Sequence, residues 1–433
     1  MRRRAATLTA MAALLLAFSS GTRTEARILG ITGEQFTTGT EFRLTAKSGY
    51  ISTPEANSIL MWGYSSGTET MQFPGPTLIV NQGATVVVVL GNELAENASI
   101  VFPGQEDVAA EAVSGPTNDG LIALEAQPTG VVKYTFNAAH AGTYQYHSGT
   151  RPELQVDMGL VGALIVRPAG FMPAMDMGMG VDYSMQKAYE DPATTYTYEV
   201  LFLTSEIDFA MHRLVEEGRI AEIDNTKYFP VYWLLNGRCA PDTMHPDNVS
   251  WLPTQPYGCM PMMHPGDRLL MRVVPGGRDM HPYHHHGNNA RVIARDGRPL
   301  GSQAFSGFTV HEIPGETVDA IYEWTGAEMG WDIYGHAPGD PLQPNEYAPD
   351  HGKPFPVTLP DKLDMTFGAM YSGSPFLGGM GALPPGEGGL NPFGAFVYMW
   401  HSHTEKEMTN FDIFPGGLMT MLMIVPHEVM IEH

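Results

Sequence analysis

Apolar residues alternate with polar ones in short runs along the chain, and the runs are bounded by Gly, Pro, Asn and Asp. That is the period of half-buried β-strands. Residues 131–136 alternate in this way, and 42–46, 59–63 and 85–90 also read as short strands. Residues 159–166 (GLVGALIV) run apolar throughout, as in a fully buried strand. The order of elements then repeats. A turn and strand at 82–90 are echoed by 260–274, 127–134 by 313–321, 142–149 by 394–403, and 159–166 by 416–425. The pattern predicts an all-β protein of two related β-sandwich domains, 35–168 and 195–428. Residues 169–194 between them form a Met-rich linker. Pro and Gly disfavour a helix there, so its thioethers are read either as soft copper ligands or as apolar gap-filling. Residues 336–394 are a Gly/Pro-rich insertion in the second domain, long enough for a lid or an interaction loop.

The first 26 residues read as a secretory signal peptide, with Arg2 to Arg4 followed by an apolar core at 5–18. This predicts an exported protein, periplasmic or extracellular, with no membrane insertion, because no stretch reaches about 18 uninterrupted apolar residues. The net charge of −23 excludes nucleic acid as a natural partner. The two cysteines, Cys239 and Cys259, are expected to form one disulfide in an oxidising compartment, the alternative being a pair of thiolate ligands.

Histidine changes the picture most. Four fall within six residues, at His281, His284, His285 and His286, and two more stand at His401 and His403. In a strand, residues two apart share a face. His284 and His286 therefore project together with His285 opposed, and His401 and His403 make a second such pair. Two facing pairs form an all-imidazole cage for copper or zinc.

These residues carry a resemblance. His281-Pro-Tyr-His284-His-His286-Gly is similar to the His-Pro-x-His-Leu-His-Gly motif of the multicopper oxidases, the family of laccases and, more distantly, copper nitrite reductases. Trp400-His401-Ser402-His403 with Gly417-Leu-Met resembles that family's closing His-Cys-His segment, and Tyr144-Gln-Tyr-His147-Ser-Gly149 its Tyr-His-Ser-His. The resemblance implies cupredoxin-like Greek-key domains and copper as the cofactor. It also implies a blue (type 1) ligand at His281, a type 2 ligand at His284, and type 3 ligands at His147, His286, His401 and His403. A homotrimer is implied if His147 completes a site shared between subunits.

The departures from the family carry as much information. Ser402 stands where the family has its type 1 cysteine, and Glu407 where it has a second type 1 histidine. The first His-x-His pair is missing near 100–104, and Gly149 replaces another ligand. The main expectation is an exported copper-binding protein without type 1 copper, able to carry out copper-dependent oxidoreductase chemistry if a small reductant or a metal ion delivers electrons directly. A non-enzymatic scaffold that has lost its copper is the alternative. A third reading recruits His212, His245 or His264 as replacement ligands; these, like His140, His311, His336, His351 and His427, otherwise read as surface or turn histidines.

Overall fold

The structure, a computed structural model, describes residues 28–431 apart from 177–180, 328–329, 333–335, 338, 343–345, 355–375, 378–394, 426 and 428. The signal-peptide reading, the centre of the Met-rich linker and most of the 336–394 insertion lie outside the described residues.

The runs read as strands are strands, and several bury one face. In Thr85–Asn92 and Val131–Asn137, Val86, Val88, Leu90, Val132, Tyr134 and Phe136 are buried and the residues between them are more exposed. Both strands belong to a six-stranded sheet with Gly39–Ser52, Ser58–Ser66, Ala109–Ser114 and Glu34–Phe36. Its apolar face packs on a three-stranded sheet of Gly142–His147, Val161–Arg167 and Leu78–Asn81, through a core that includes Phe42, Val88, Tyr146 and Leu164.

The second half of the chain repeats the same pairings. Gly39–Ser52 runs parallel to Thr85–Asn92, which pairs antiparallel with Val131–Asn137. Tyr198–Ile207 runs parallel to Arg268–Pro275, which pairs antiparallel with Val318–Glu323. Likewise Gly142–His147 pairs with Val161–Arg167 as Phe396–Ser402 pairs with Met419–Ile424. The repeated order of sequence signals is therefore a repeated sheet topology. The second sandwich packs a seven-stranded sheet on a six-stranded one, around Phe202, Tyr283, Tyr322, Trp324 and Trp400.

Every residue of Val161–Arg167 is buried because both faces of the strand are covered. Leu164 and Val166 enter the first core, while Ala163 and Ile165 pack on Leu201, Leu203 and Val274 of the second sandwich. Within this contact lies a buried ionic network. Arg167 and Arg272 both hydrogen-bond Glu199, with Arg272 Nε at 2.9 Å from it, and Arg272 Nη1 donates to Thr143 Oγ1 at 2.9 Å. The two guanidinium groups overcome the effect of burial and hold the Glu199 carboxyl down at about 2.

Two expectations are corrected. Cys239 and Cys259 are free thiols, both buried, rather than a disulfide. They sit in different apolar clusters, Cys239 with Met61, Tyr232 and Leu234, and Cys259 with Tyr198, Tyr283 and Trp400. Burial pushes both thiols well above their usual range, which also removes the thiolates a metal would need. His212, read as a surface or turn residue, is buried on the helix Phe209–Glu216, its Nδ1 2.7 Å from the Leu60 carbonyl. The strand pattern gave no signal for this helix, which Asp208 caps by accepting from the Ala210 and Met211 N–H groups.

Candidate metal centre

His281–His285 lies antiparallel to Phe396–Ser402 in the six-stranded sheet, with His284 directly opposite His401 and Tyr283 opposite Ser402. Directly opposed residues in a sheet share a face. The strand period then sends His284, His286 and His401 to one side and His281, Tyr283 and Ser402 to the other.

On the first side, ligand nitrogens of His284, His286 and His401 all lie within 4.8 Å of one another. His286 Nε2 and His401 Nε2 are 3.2 Å apart. The His284 ring is surrounded by the other imidazoles, at 4.9 Å from His286, 5.6 Å from His401 and 4.8 Å from His403. His403 is exposed, with its ring beside that of His284. His401 Nδ1 lies 2.7 Å from the Ser402 carbonyl, which only accepts. In the neutral ring the proton therefore sits on Nδ1 and the lone pair on Nε2 faces the cluster. His284 Nδ1 is 3.0 Å from Thr309 Oγ1. Burial, and then the neighbouring imidazoles, lower His284 to about 4, and burial lowers His401. Both shifts favour the neutral ring, the state a metal requires.

The shell behind the ligands is fixed. The His286 carbonyl accepts from Trp400 Nε1 at 3.0 Å and from the Tyr322 hydroxyl at 3.1 Å. Gly287 (φ +101°) lets the chain turn away there, since a Cβ would collide with the Tyr322 hydroxyl. His285 points into the core against Tyr322 and Trp400, with ring centroids 5.9 and 5.8 Å away.

The opposite face holds a different constellation. His281 is buried between two carboxylates, with Nε2 3.2 Å from Glu206 and Nδ1 2.9 Å from Glu407. Ser402 Oγ donates to the same Glu407 oxygen at 2.5 Å. Burial alone would lower His281, but the two carboxylates raise it to about 10, so it is an imidazolium. Glu206 also accepts from the Asp279 N–H at 2.9 Å and the Tyr228 hydroxyl at 3.0 Å, and a Cβ on Gly277 would strike its carboxylate. Sequence reasoning missed Glu206: it lies in an apolar strand 75 residues from its partner, and nothing local marks it.

His147 ends the strand Gly142–His147, with Nδ1 2.9 Å from the Ser148 carbonyl, and lies outside the three-histidine group. His212, His245 and His264 also lie outside it. His245 faces Asp242 at 3.7 Å, and His264 stacks on His427 at 5.0 Å. His336 and His351, read as surface or turn residues, belong to a second cluster with Asp332 and Glu346.

Residues 65–170 match the family model for multicopper oxidase. The chain is 32% identical over 166 residues to the multicopper oxidase MCE of Talaromyces pinophilus, covering 34% of this chain and 26% of that protein. It is 34% identical over 125 residues to laccase 1 of Metarhizium acridum, covering 28% of this chain and 20% of that one. The matches thus span about a quarter or less of these relatives' lengths. The fold is that of the blue copper oxidase of Nitrosomonas europaea (TM-score 0.56, 19% identity, 91% of this chain and 87% of that one). The copper nitrite reductase of the same organism is also similar (TM-score 0.51, 14% identity, 90% and 95%). Multicopper oxidases bind copper, and three imidazoles gathered this closely suit that ion. The chain therefore carries a multicopper oxidase domain match over its first sandwich, and as a whole it has the cupredoxin-like fold of the multicopper oxidases.

Proposed function

We propose that this is an exported copper-binding protein of the multicopper-oxidase type that lacks type 1 copper. His284, His286 and His401 hold the copper and His403 stands at its entrance. The observation that carries this reading is the gathering of three imidazole nitrogens within 4.8 Å of one another. Bound there, copper supplies a one-electron couple. The chain's own residues orient the ligands through Thr309, the Ser402 carbonyl and the clamped His286 carbonyl, and exposed His403 leaves a small phenol or a metal ion a way in.

The absence of type 1 copper rests on the other face. Ser402 and Glu407 stand where the family's cysteine and second histidine would be; Glu407 contacts His281, Ser402 donates to that same carboxylate, and Glu206 closes the set. A hydroxyl and two carboxylates around an imidazolium supply no soft thiolate. Electrons must then reach the copper directly from the reductant.

The experiment is metal analysis of copper-loaded protein together with its visible and EPR spectra. The expected result is bound copper with no intense blue thiolate band. The double variant His286→Ala, His401→Ala is expected to bind copper more than about 100-fold more weakly, beyond what altered ligand-supporting groups alone give. A strong blue band would overturn the reading. Failure of the loaded wild type to retain copper would favour the scaffold alternative, in which the buried charges around His281 mark a site converted to structural use.

His147 supplies a further ligand only from a neighbouring copy, and we read the active form as a homotrimer on that basis. Light scattering that finds monomer alone in the copper-loaded protein would remove the shared site. Export predicts a mature chain beginning at Arg27, which N-terminal sequencing of the secreted protein would detect; an intact Met1 terminus on that protein would contradict the cleavage.

A further inference from the structure

Trp331 is buried in the core of the second sandwich, and the chain beyond it closes on itself where the Asp332 N–H donates to the Lys353 carbonyl at 2.9 Å. Four side chains meet inside that loop. Asp332, His336, Glu346 and His351 each present one ligand atom, and all four atoms lie within 4.8 Å of one another. Asp332 Oδ2 is 3.1 Å from His336 Nδ1. Glu346 Oε1 is 3.3 Å from that same nitrogen and 2.5 Å from His351 Nδ1. The carboxylates are enclosed, at 1% and 3% exposure, and the imidazoles nearly so, at 12% and 17%.

The arrangement is held from the backbone. Asp332 Oδ2 accepts from the His336 N–H at 3.0 Å and the Gly352 N–H at 2.9 Å, which fixes the carboxylate at the centre of the loop. Two enclosed carboxylates this close repel when both are ionised. A dication with two neutral imidazoles and two carboxylates brings the group to zero net charge. Two nitrogens and two oxygens match tetrahedral zinc or cobalt, and the mixed set excludes a preference for soft Cu(I).

We propose that Asp332, His336, Glu346 and His351 form a second metal site, for a divalent first-row ion of the zinc type. The site shares no residue with the histidine group. Its first ligand, Asp332, directly follows buried Trp331, at the point where the Gly/Pro-rich insertion begins. Because the four ligands come from separate stretches of chain, binding is linked to the fold that gathers them.

The test uses the full chain carrying His286→Ala and His401→Ala, so that loss of the copper site cannot be confused with loss of this one. Titration with Co²⁺, followed by its visible absorption and then by Zn²⁺ displacement, is expected to show one bound equivalent. Adding Glu346→Gln, which keeps the side chain's shape, is expected to weaken binding by more than about 100-fold with an unchanged near-ultraviolet circular dichroism spectrum. His351→Ala is expected to do the same, and if that variant folds poorly the Glu346→Gln result stands alone. Absence of a bound equivalent in the parent, or equal affinity in Glu346→Gln, would overturn the proposal.

Discussion

His281→Leu is expected to destabilise the folded chain by about 3–5 kcal/mol, the usual result of removing one partner from a buried ionic group. His281 is 1% exposed and lies between Glu206 and Glu407, themselves buried. Its removal leaves two carboxylates facing one another without the charge that holds them. Their mutual repulsion predicts a specific non-additivity. Adding Glu407→Gln to His281→Leu is expected to recover part of the loss, whereas Glu407→Gln alone is destabilising. Denaturant midpoints for the four proteins of this cycle are the measurement, and simple additivity would rule out a coupled group. Copper stoichiometry should be unchanged in His281→Gln, since His281 lies on the opposite face of its strand from His284. Loss of copper in that variant would make His281 a ligand after all.

The same group sets the alkaline side of the stability profile. His281 is raised to about 10 in the folded chain, against about 6.5 when unfolded. A raised histidine contributes stability that is complete below the unfolded value and is lost as pH rises through the folded one. Wild type is therefore expected to lose stability between about pH 6.5 and 10, and His281→Gln to show a flatter profile there. Equal slopes in both proteins would show that His281 is not the group titrating.

Arg272→Met is expected to have an effect of similar size, about 3–5 kcal/mol. Arg272 is fully buried, hydrogen-bonds Glu199 and Thr143, and lies 3.7 Å from Asp319. Methionine fills much of the volume but, among the described residues, leaves Glu199 with Arg167 as its remaining cation and Asp319 with its neutral donors Thr143 and Tyr189. Because Thr143 and Arg167 come from the first sandwich and Glu199, Arg272 and Asp319 from the second, the loss should loosen the contact between them. Hydrogen exchange is expected to rise along Val161–Arg167 and Tyr198–Ile207 together. The acid side carries a signature too: Glu199 sits at about 2 when folded, so its contribution is present above the unfolded value of about 4.3 and fades as pH falls toward 2. A variant as stable as wild type, with unaltered exchange in both strands, would mean the network contributes nothing net.

The sequence by itself determined the strands, the repeat and the way the histidines face. These depend on local period, which any reader of the chain can count. Alternation put His284 with His286 and turned Ser402 toward His281, and the pairing of His284 with His401 places them so. Continuous burial of 159–166 was legible for the same reason, because a strand covered on both faces has no polar side to show.

Only the tertiary structure decided which distant groups meet. Glu206 reaches His281 because Tyr198–Ile207 and the turn at Gly277 approach without a side chain between them. The two cysteines, 20 residues apart in the chain, end in separate cores. Asp332 and His351 come together because a loop closes on itself, with no period to announce it. Side-chain direction is a local property of the backbone, whereas an ionic partner or a metal ligand set is a property of packing, so the first can be read along the chain and the second only across it.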